Sequence, residues 1–223
     1  VFARSEGRGV IAVVTSCSAA GWGQYGERFY DSFVEHWPAE VHLHIVSEDA
    51  LFANDGALMA NVSYWRLDHP FLDRHASDLR AQGKVQLEGD YGWTKNKIAA
   101  GYNFRLDAFR FAKKVFAIDA VAKRLEGEGG RLFWVDADVV TFAPVPLEML
   151  ERLLPEDAAL SCLDRGDDYH PECGFVGYNL AHAAALALRR AERRHLLVAA
   201  GDGRQRRQRA GRDARGNGRN LSR

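Results

Sequence analysis

The sequence predicts an α/β fold built on a mostly parallel, mixed sheet flanked by helices. Three observations carry that expectation. Short β-branched apolar runs alternate with segments of helical period, beginning with Gly9–Ser16 (GVIAVVTS), and such runs fill strands buried on both faces. A helix-period segment separates that run from the next one, making a β-loop-α-β unit, the building block of parallel sheets. The apolar stretch Arg131–Val135 then releases two carboxylates, Asp136 and Asp138. In open α/β sheets, ligands bind outside the carboxyl ends of the strands.

The elements follow in order. After the first strand, Gly21–Gly26 (GWGQYG) reads as a glycine-rich loop. Tyr25, Phe29, Phe33 and Trp37 recur at four-residue spacing, an amphipathic helix that Pro38 ends. Val41–Ser47 is the second strand and completes a Rossmann-like N-terminal half. Asn61–Leu67 reads as a third, and Pro70 opens a polar, helical or loop segment. From Tyr102 to Leu125 the apolar residues keep a helical period, with the Lys and Arg side chains mostly on the opposite face. Gly127–Gly130 ends that helix before the strand bearing the carboxylates. A helix over Leu147–Leu154, strands over Ala158–Leu163 and Gly174–Asn179, and an Ala- and Leu-rich helix over Ala181–Val198 complete one domain, residues 1–200.

Composition narrows the function classes. The chain has 223 residues, 47% apolar and 27% charged, with formal net charge zero. Residues 201–223 hold eight Arg and two Asp, which leaves the first 200 residues with 22 basic against 28 acidic groups. A mildly acidic body argues against nucleic-acid binding, which needs clustered cations. The Arg/Gly-rich tail buries too little to order itself and is expected to be disordered, the product of a frameshift or truncation. Val1 stands where an initiator Met would, as in a fragment. Cys17, Cys162 and Cys173 form no CxxC pair and read as isolated buried thiols. No apolar run approaches the ~20 residues of a membrane span, and the first residues lack the apolar core of a signal peptide. A cytoplasmic location is therefore expected, and the sequon Asn61-Val62-Ser63 reads as chance.

The chemistry centres on Phe133-Trp134-Val135-Asp136-Ala137-Asp138. Side chains at i and i+2 of an extended strand share a face, so both carboxylates can converge on one hard cation. Mn²⁺ or Mg²⁺ suits oxygen ligands and keeps positions open for water and phosphate. A departing nucleoside diphosphate develops negative charge, which such a cation stabilises.

On this strand and its DxD, the chain resembles the GT-A glycosyltransferases, particularly bacterial members. Their nucleotide-binding half, basic helix, DxD strand and glycine-bearing acceptor-side strand look like Val10–Ser16, Phe104–Ile118, Phe133–Asp138 and Cys173–Asn179. The resemblance covers about residues 9–198. It implies a nucleotide-sugar donor on Thr15 and Ser16, with Asp136 contacting the ribose or the metal's water shell and Asp138 binding the metal. In similar enzymes a basic residue near the DxD strand holds the diphosphate; Arg110 is the candidate, with Arg105, Asp107, Lys113 and Lys114 around it. Lys95 and Lys97 lie in a loop placed to close on the donor. Asp164, Asp167 and Asp168 are placed to bind sugar hydroxyls, one of them as general base. Gly174 and Gly177 would let the backbone approach the sugar. His170 and His182 are further candidate metal ligands. The activity implied is transfer of a sugar from a UDP- or GDP-linked donor to a glycan or other hydroxyl acceptor. The segment expected to follow Val198 is replaced by the Arg/Gly tail, which leaves a non-catalytic sugar- or nucleotide-binding remnant as one alternative. The other is a haloacid-dehalogenase-type phosphatase, with Asp136 as nucleophile, Asp138 as acid/base and Asp167 and Asp168 as metal carboxylates. Its nucleophile normally ends the first strand of the domain, whereas at least two strands precede Asp136 here.

Overall fold

The computed structural model describes residues 9–49, 59–78, 82, 107–166 and 172–191. They fall into two compact units, one drawn from Val1–His69 and Lys113–Arg189, the other from Pro70–Ala112 and Arg190–Arg223. The Arg/Gly tail and the segment holding Lys95 and Lys97 lie outside the described residues.

The first unit is a six-stranded mixed sheet. β1 (Val10–Cys17), β2 (His42–Ser47), β3 (Val62–Arg66) and β4 (Gly130–Val135) run parallel. β6 (Glu172–Asn179) lies antiparallel to β4 and to β5 (Leu160–Leu163), giving the order β3-β2-β1-β4-β6-β5. The continuous apolar runs behave as their composition predicts: every residue of β2 is buried, and so is all of β1 after Val10. The edge strand β5 is mostly exposed. Among the described residues, three strands precede β4.

Register explains the core. Val62, Leu43, Val13, Phe133 and Gly177 form one row across five strands. Their face packs on Phe29 and Phe33 of α2 (Glu27–His36) and Leu150 of α5 (Leu147–Leu153). Burying a side chain the size of Phe133 contributes about 1.5–3 kcal/mol. The opposite face carries Trp134 and Trp65, beneath α4 (Ala108–Arg124). Three of the basic side chains of α4 find partners on the sheet. Lys114 lies 4.7 Å from the Trp134 ring centroid, Arg124 lies 4.8 Å from that of Trp65, and Lys113 pairs with Glu48. The long aliphatic stems allow this, covering apolar surface while the charged heads find partners.

Gly21–Gly26 departs from the expectation. It is helical, not a loop: α1 (Ala19–Gly21), one π-helical turn (Trp22–Gly26) and α2 run on without a break. Ser18 caps the start by accepting from the Gly21 N–H at 3.1 Å. The glycines provide room rather than unusual backbone angles. A Cβ on Gly26 would fall 2.8 Å from Trp22 Cε3, and one on Gly21 would collide with the Tyr25 hydroxyl.

The described part of the predicted Tyr102–Leu125 helix is α4, and Asp107 caps it. Its carboxylate accepts from the Arg110 N–H at 2.9 Å. In the second unit, α3 (Pro70–His75) confirms the helical option after Pro70. The Arg74 side chain there bonds the Pro70 carbonyl, and His75 lies 3.8 Å from Asp78. Among the described residues no helix is long and apolar enough to cross a membrane. Cys17 is buried, but Cys162 and Cys173 are exposed, contrary to the expectation of buried thiols.

Candidate functional site

β4 stops at Val135, and Asp136, Ala137 and Asp138 enter a turn closed by the Val139 N–H on the Asp136 carbonyl at 3.1 Å. The two carboxylates therefore sit on a turn at the carboxyl edge of the sheet, and the shared-face argument for an extended strand does not apply. Ala137 is buried and anchors the turn, while Asp138 is exposed.

Asp136 is held from three sides. Its N–H donates to the Gly174 carbonyl at 2.8 Å. Its Oδ1 accepts from Trp134 Nε1 at 2.5 Å and faces Lys114 Nζ at 3.4 Å. The Lys114 ammonium also donates to the Cys173 carbonyl. One cation from α4 thus ties the end of β4 to the start of β6. Next to it, Glu172 accepts from the Gly174 N–H at 2.9 Å and pairs with Arg165 at 3.1 Å. An alanine Cβ at Gly174 would lie 3.1 Å from Asp136 Oδ2 and 3.2 Å from Glu172 Oε1, so the glycine leaves room for both carboxylate tips beside the strand.

Gly177 borders the core. A Cβ there would meet Phe133 Cε1 at 2.8 Å and Ser161 Oγ at 2.5 Å, so its space on that face belongs to the core. The two glycines should respond differently. Gly177→Ala presses on a buried ring and is expected to cost about 1–3 kcal/mol, whereas Gly174→Ala displaces only carboxylate tips and costs less. Thermal midpoints of the two variants check this; equal shifts would contradict the assignment.

A second polar group stands at the carboxyl edges of β1 and β2. Ser16 Oγ donates to Glu48 Oε1 at 2.8 Å, Lys113 Nζ lies 3.0 Å from Glu48 Oε2, and Asp49 accepts from the Ala19 N–H at 2.9 Å. Thr15 is 1% exposed and its hydroxyl lies in the interior. The Cys17 thiol is pushed up to about 12 by burial, with Glu48 and Asp49 adding to it, so it stays protonated and unreactive.

Of the other predicted residues, Arg110 is exposed and belongs to the second unit, while Asp136 and Asp138 belong to the first. Asp164 is exposed and closes a local turn by accepting from the Gly166 N–H at 3.0 Å. His182 Nδ1 accepts from the Ala184 N–H at 3.2 Å, where helical backbone begins. Lys97, Asp167, Asp168 and His170 lie outside the described residues. Reasoning from sequence passed over Glu48 and did not single out Lys113, Lys114 or Glu172 from the charged runs that contain them. Lys113 and Lys114 were visible as part of a basic helix, but only the crossing of α4 over the sheet selects them.

Among the described residues, no three His, Cys, Asp or Glu side chains converge to hold a metal. The hard oxygens at hand are the exposed Asp138 carboxylate and the Oδ2 of Asp136. Such a pair fits a divalent cation that takes its remaining ligands from water and phosphate.

No protein-family model matches the chain, and no curated protein matches it. Its backbone is similar to mouse xyloside xylosyltransferase 1 in its apo form, with 13% identity over 77% of this chain and 67% of that one, at a TM-score of 0.45. It is also similar to the apo bifunctional glycosyltransferase WbbM, with 11% identity over 80% of this chain and 33% of that one, TM-score 0.42. The galactosyltransferase LgtC, in complex with donor and acceptor sugar analogs, gives 13% identity over 76% and 58%, TM-score 0.40. The chain thus spans about a third to two thirds of the length of these structures.

Proposed function

We propose that this chain is a glycosyltransferase that moves a sugar from a UDP- or GDP-linked donor to a hydroxyl of a glycan or other acceptor. One observation carries this: an acidic turn, Asp136 to Asp138, stands at the carboxyl edge of β4, in the interior of a mixed sheet, with a lysine cation against its first carboxylate. An acidic turn beside a fixed cation suits a ligand that carries both phosphate and hydroxyl groups. Three described strands precede β4, which speaks against the phosphatase alternative.

Each residue then has a task. Asp138, exposed on its turn, and Asp136 through Oδ2 would hold Mn²⁺ or Mg²⁺. Bound there, the cation would neutralise charge developing on the departing diphosphate. Trp134 and Lys114 fix the rotamer of Asp136, so its free oxygen stays aimed without reorganisation. Lys114 and Lys113 add positive charge for the phosphates. Glu172, oriented by the Gly174 N–H and Arg165, offers an acceptor for a sugar hydroxyl.

Calorimetric titration of UDP and of GDP, each with and without Mn²⁺, tests the proposal on the wild type and on Asp138→Ala. The expected result is metal-dependent binding of one nucleotide, weakened at least about tenfold in Asp138→Ala, the usual loss when a ligating group or its support is removed. A wild type that binds neither nucleotide under any condition overturns it.

A further inference from the structure

Lys114 does more than sit near the acidic turn. Its ammonium lies 3.4 Å from Asp136 Oδ1, donates to the Cys173 carbonyl, and stacks 4.7 Å from the Trp134 ring centroid. Trp134 Nε1 takes the same Oδ1 at 2.5 Å. With its side chain only 21% exposed, the ammonium is tied to the ends of two adjacent strands. Asp136 thus has a counter-ion from within the chain.

We propose that Lys114 acts as an internal cation on Asp136 that a divalent metal must oppose, so that metal and nucleoside diphosphate bind this site strongly only as a pair. A metal arriving alone meets a carboxylate whose charge is already compensated, with a positive charge close by. Like charges at such spacing repel strongly where water is partly excluded. A diphosphate changes the balance, because its oxygens accept from the ammonium and ligate the metal at once. Each of the two ligands then raises the other's affinity by the same factor, as linkage requires. The proposal rests on the transferase function for its second ligand, but its first half concerns only this chain and the metal.

The test uses the full chain. Free Mn²⁺ is followed by electron paramagnetic resonance for the wild type, Lys114→Met and Lys114→Arg, with no nucleotide present. Lys114→Met is expected to bind Mn²⁺ alone about tenfold tighter than the wild type, within the usual range of coupling factors. Lys114→Arg, which keeps the charge, is expected to stay near the wild type. Calorimetry with UDP and GDP at zero and saturating Mn²⁺ then gives the coupling factor, expected to be smaller in Lys114→Met than in the wild type, with the part due to direct ligation of the metal by phosphate remaining. Lys114→Gln substitutes if the methionine variant does not fold, as judged by circular dichroism. Unchanged Mn²⁺ affinity in the charge-removed variant, or an undiminished coupling factor, overturns the proposal. A wild type that binds no nucleotide overturns the transferase function instead, while the Mn²⁺-only comparison still decides the role of Lys114.

Discussion

Gly130→Ala is expected to lower the thermal midpoint by roughly 10 °C, which corresponds to about 3 kcal/mol for a chain of this size. Two causes act together. Gly130 has φ +111°, a backbone conformation that costs an L-residue about 1–3 kcal/mol. A Cβ there would also drive into the backbone of Val10, 2.6 Å from its nitrogen and 2.9 Å from its carbonyl carbon. Val10 and Gly130 are register partners at the start of the β1–β4 pairing, so relief requires prising apart the two central strands. Gly127 is the control. It also has positive φ, +88°, but open space around it, so alanine there meets only the conformational penalty. Scanning calorimetry of both variants separates the two effects; similar midpoints would show that the close approach to Val10 contributes nothing.

That contrast also marks what sequence alone conveys. Gly127–Gly130 was legible as a helix stop because positive φ is a local property of glycine, and three of these residues adopt it. The strands β1, β2 and β4 were legible for a related reason. A short, largely apolar run bounded by turn residues has few uses other than a strand covered on both faces. Gly21 and Gly26 defeated the same logic. Both take ordinary right-handed helical angles, and their purpose is to admit the Tyr25 and Trp22 side chains. Such a role depends on neighbours one turn away, and composition reads it as a loop.

The site divides along the same line. Asp136 and Asp138 stood out because an apolar strand ending in acid is a local pattern, although the turn that carries them was mistaken for more strand. Lys114 and Glu172 could not be told from the charged residues around them, because their significance comes from α4 crossing over β4 and from β6 running antiparallel beside it. Gly174 and Gly177 look equivalent in GFVGYN, yet one borders two carboxylates and the other makes room for Phe133. Three residues apart, they fall on opposite faces of a regular strand, but what each face packs against follows only from the pairing with β4.

The stability of the sheet is expected to fall steeply as the solution is acidified from about pH 6.5, the ordinary histidine value, because of His44 at the centre of β2. His44 is 4% exposed, and neither ring nitrogen finds a hydrogen-bond partner among the described residues. Burial pushes its pKa down to about 3, helped by His42 on the same strand and Arg124 from α4. His42 is lowered as well, by burial, while its Nε2 lies 2.7 Å from Ser63 Oγ and its ring centroid 4.6 Å from that of His44. The sign follows from proton counting. Between the two pKa values the unfolded chain binds a proton on His44 that the folded chain refuses, so acid favours unfolding. The stabilisation is complete above the unfolded value of about 6.5 and erodes by about 1.4 kcal/mol per pH unit below it, until the folded value is reached. His42 adds to the loss in the same direction. Urea unfolding of the wild type and His44→Leu at several pH values from about 7 to 4 isolates the effect. The variant is expected to match or exceed the wild type at neutral pH, since it removes two unpartnered buried nitrogens, and to lose less on acidification. Parallel pH profiles for the two proteins would mean that His44 takes up its proton without unfolding the sheet, and that acid sensitivity arises in the carboxylates at its edge.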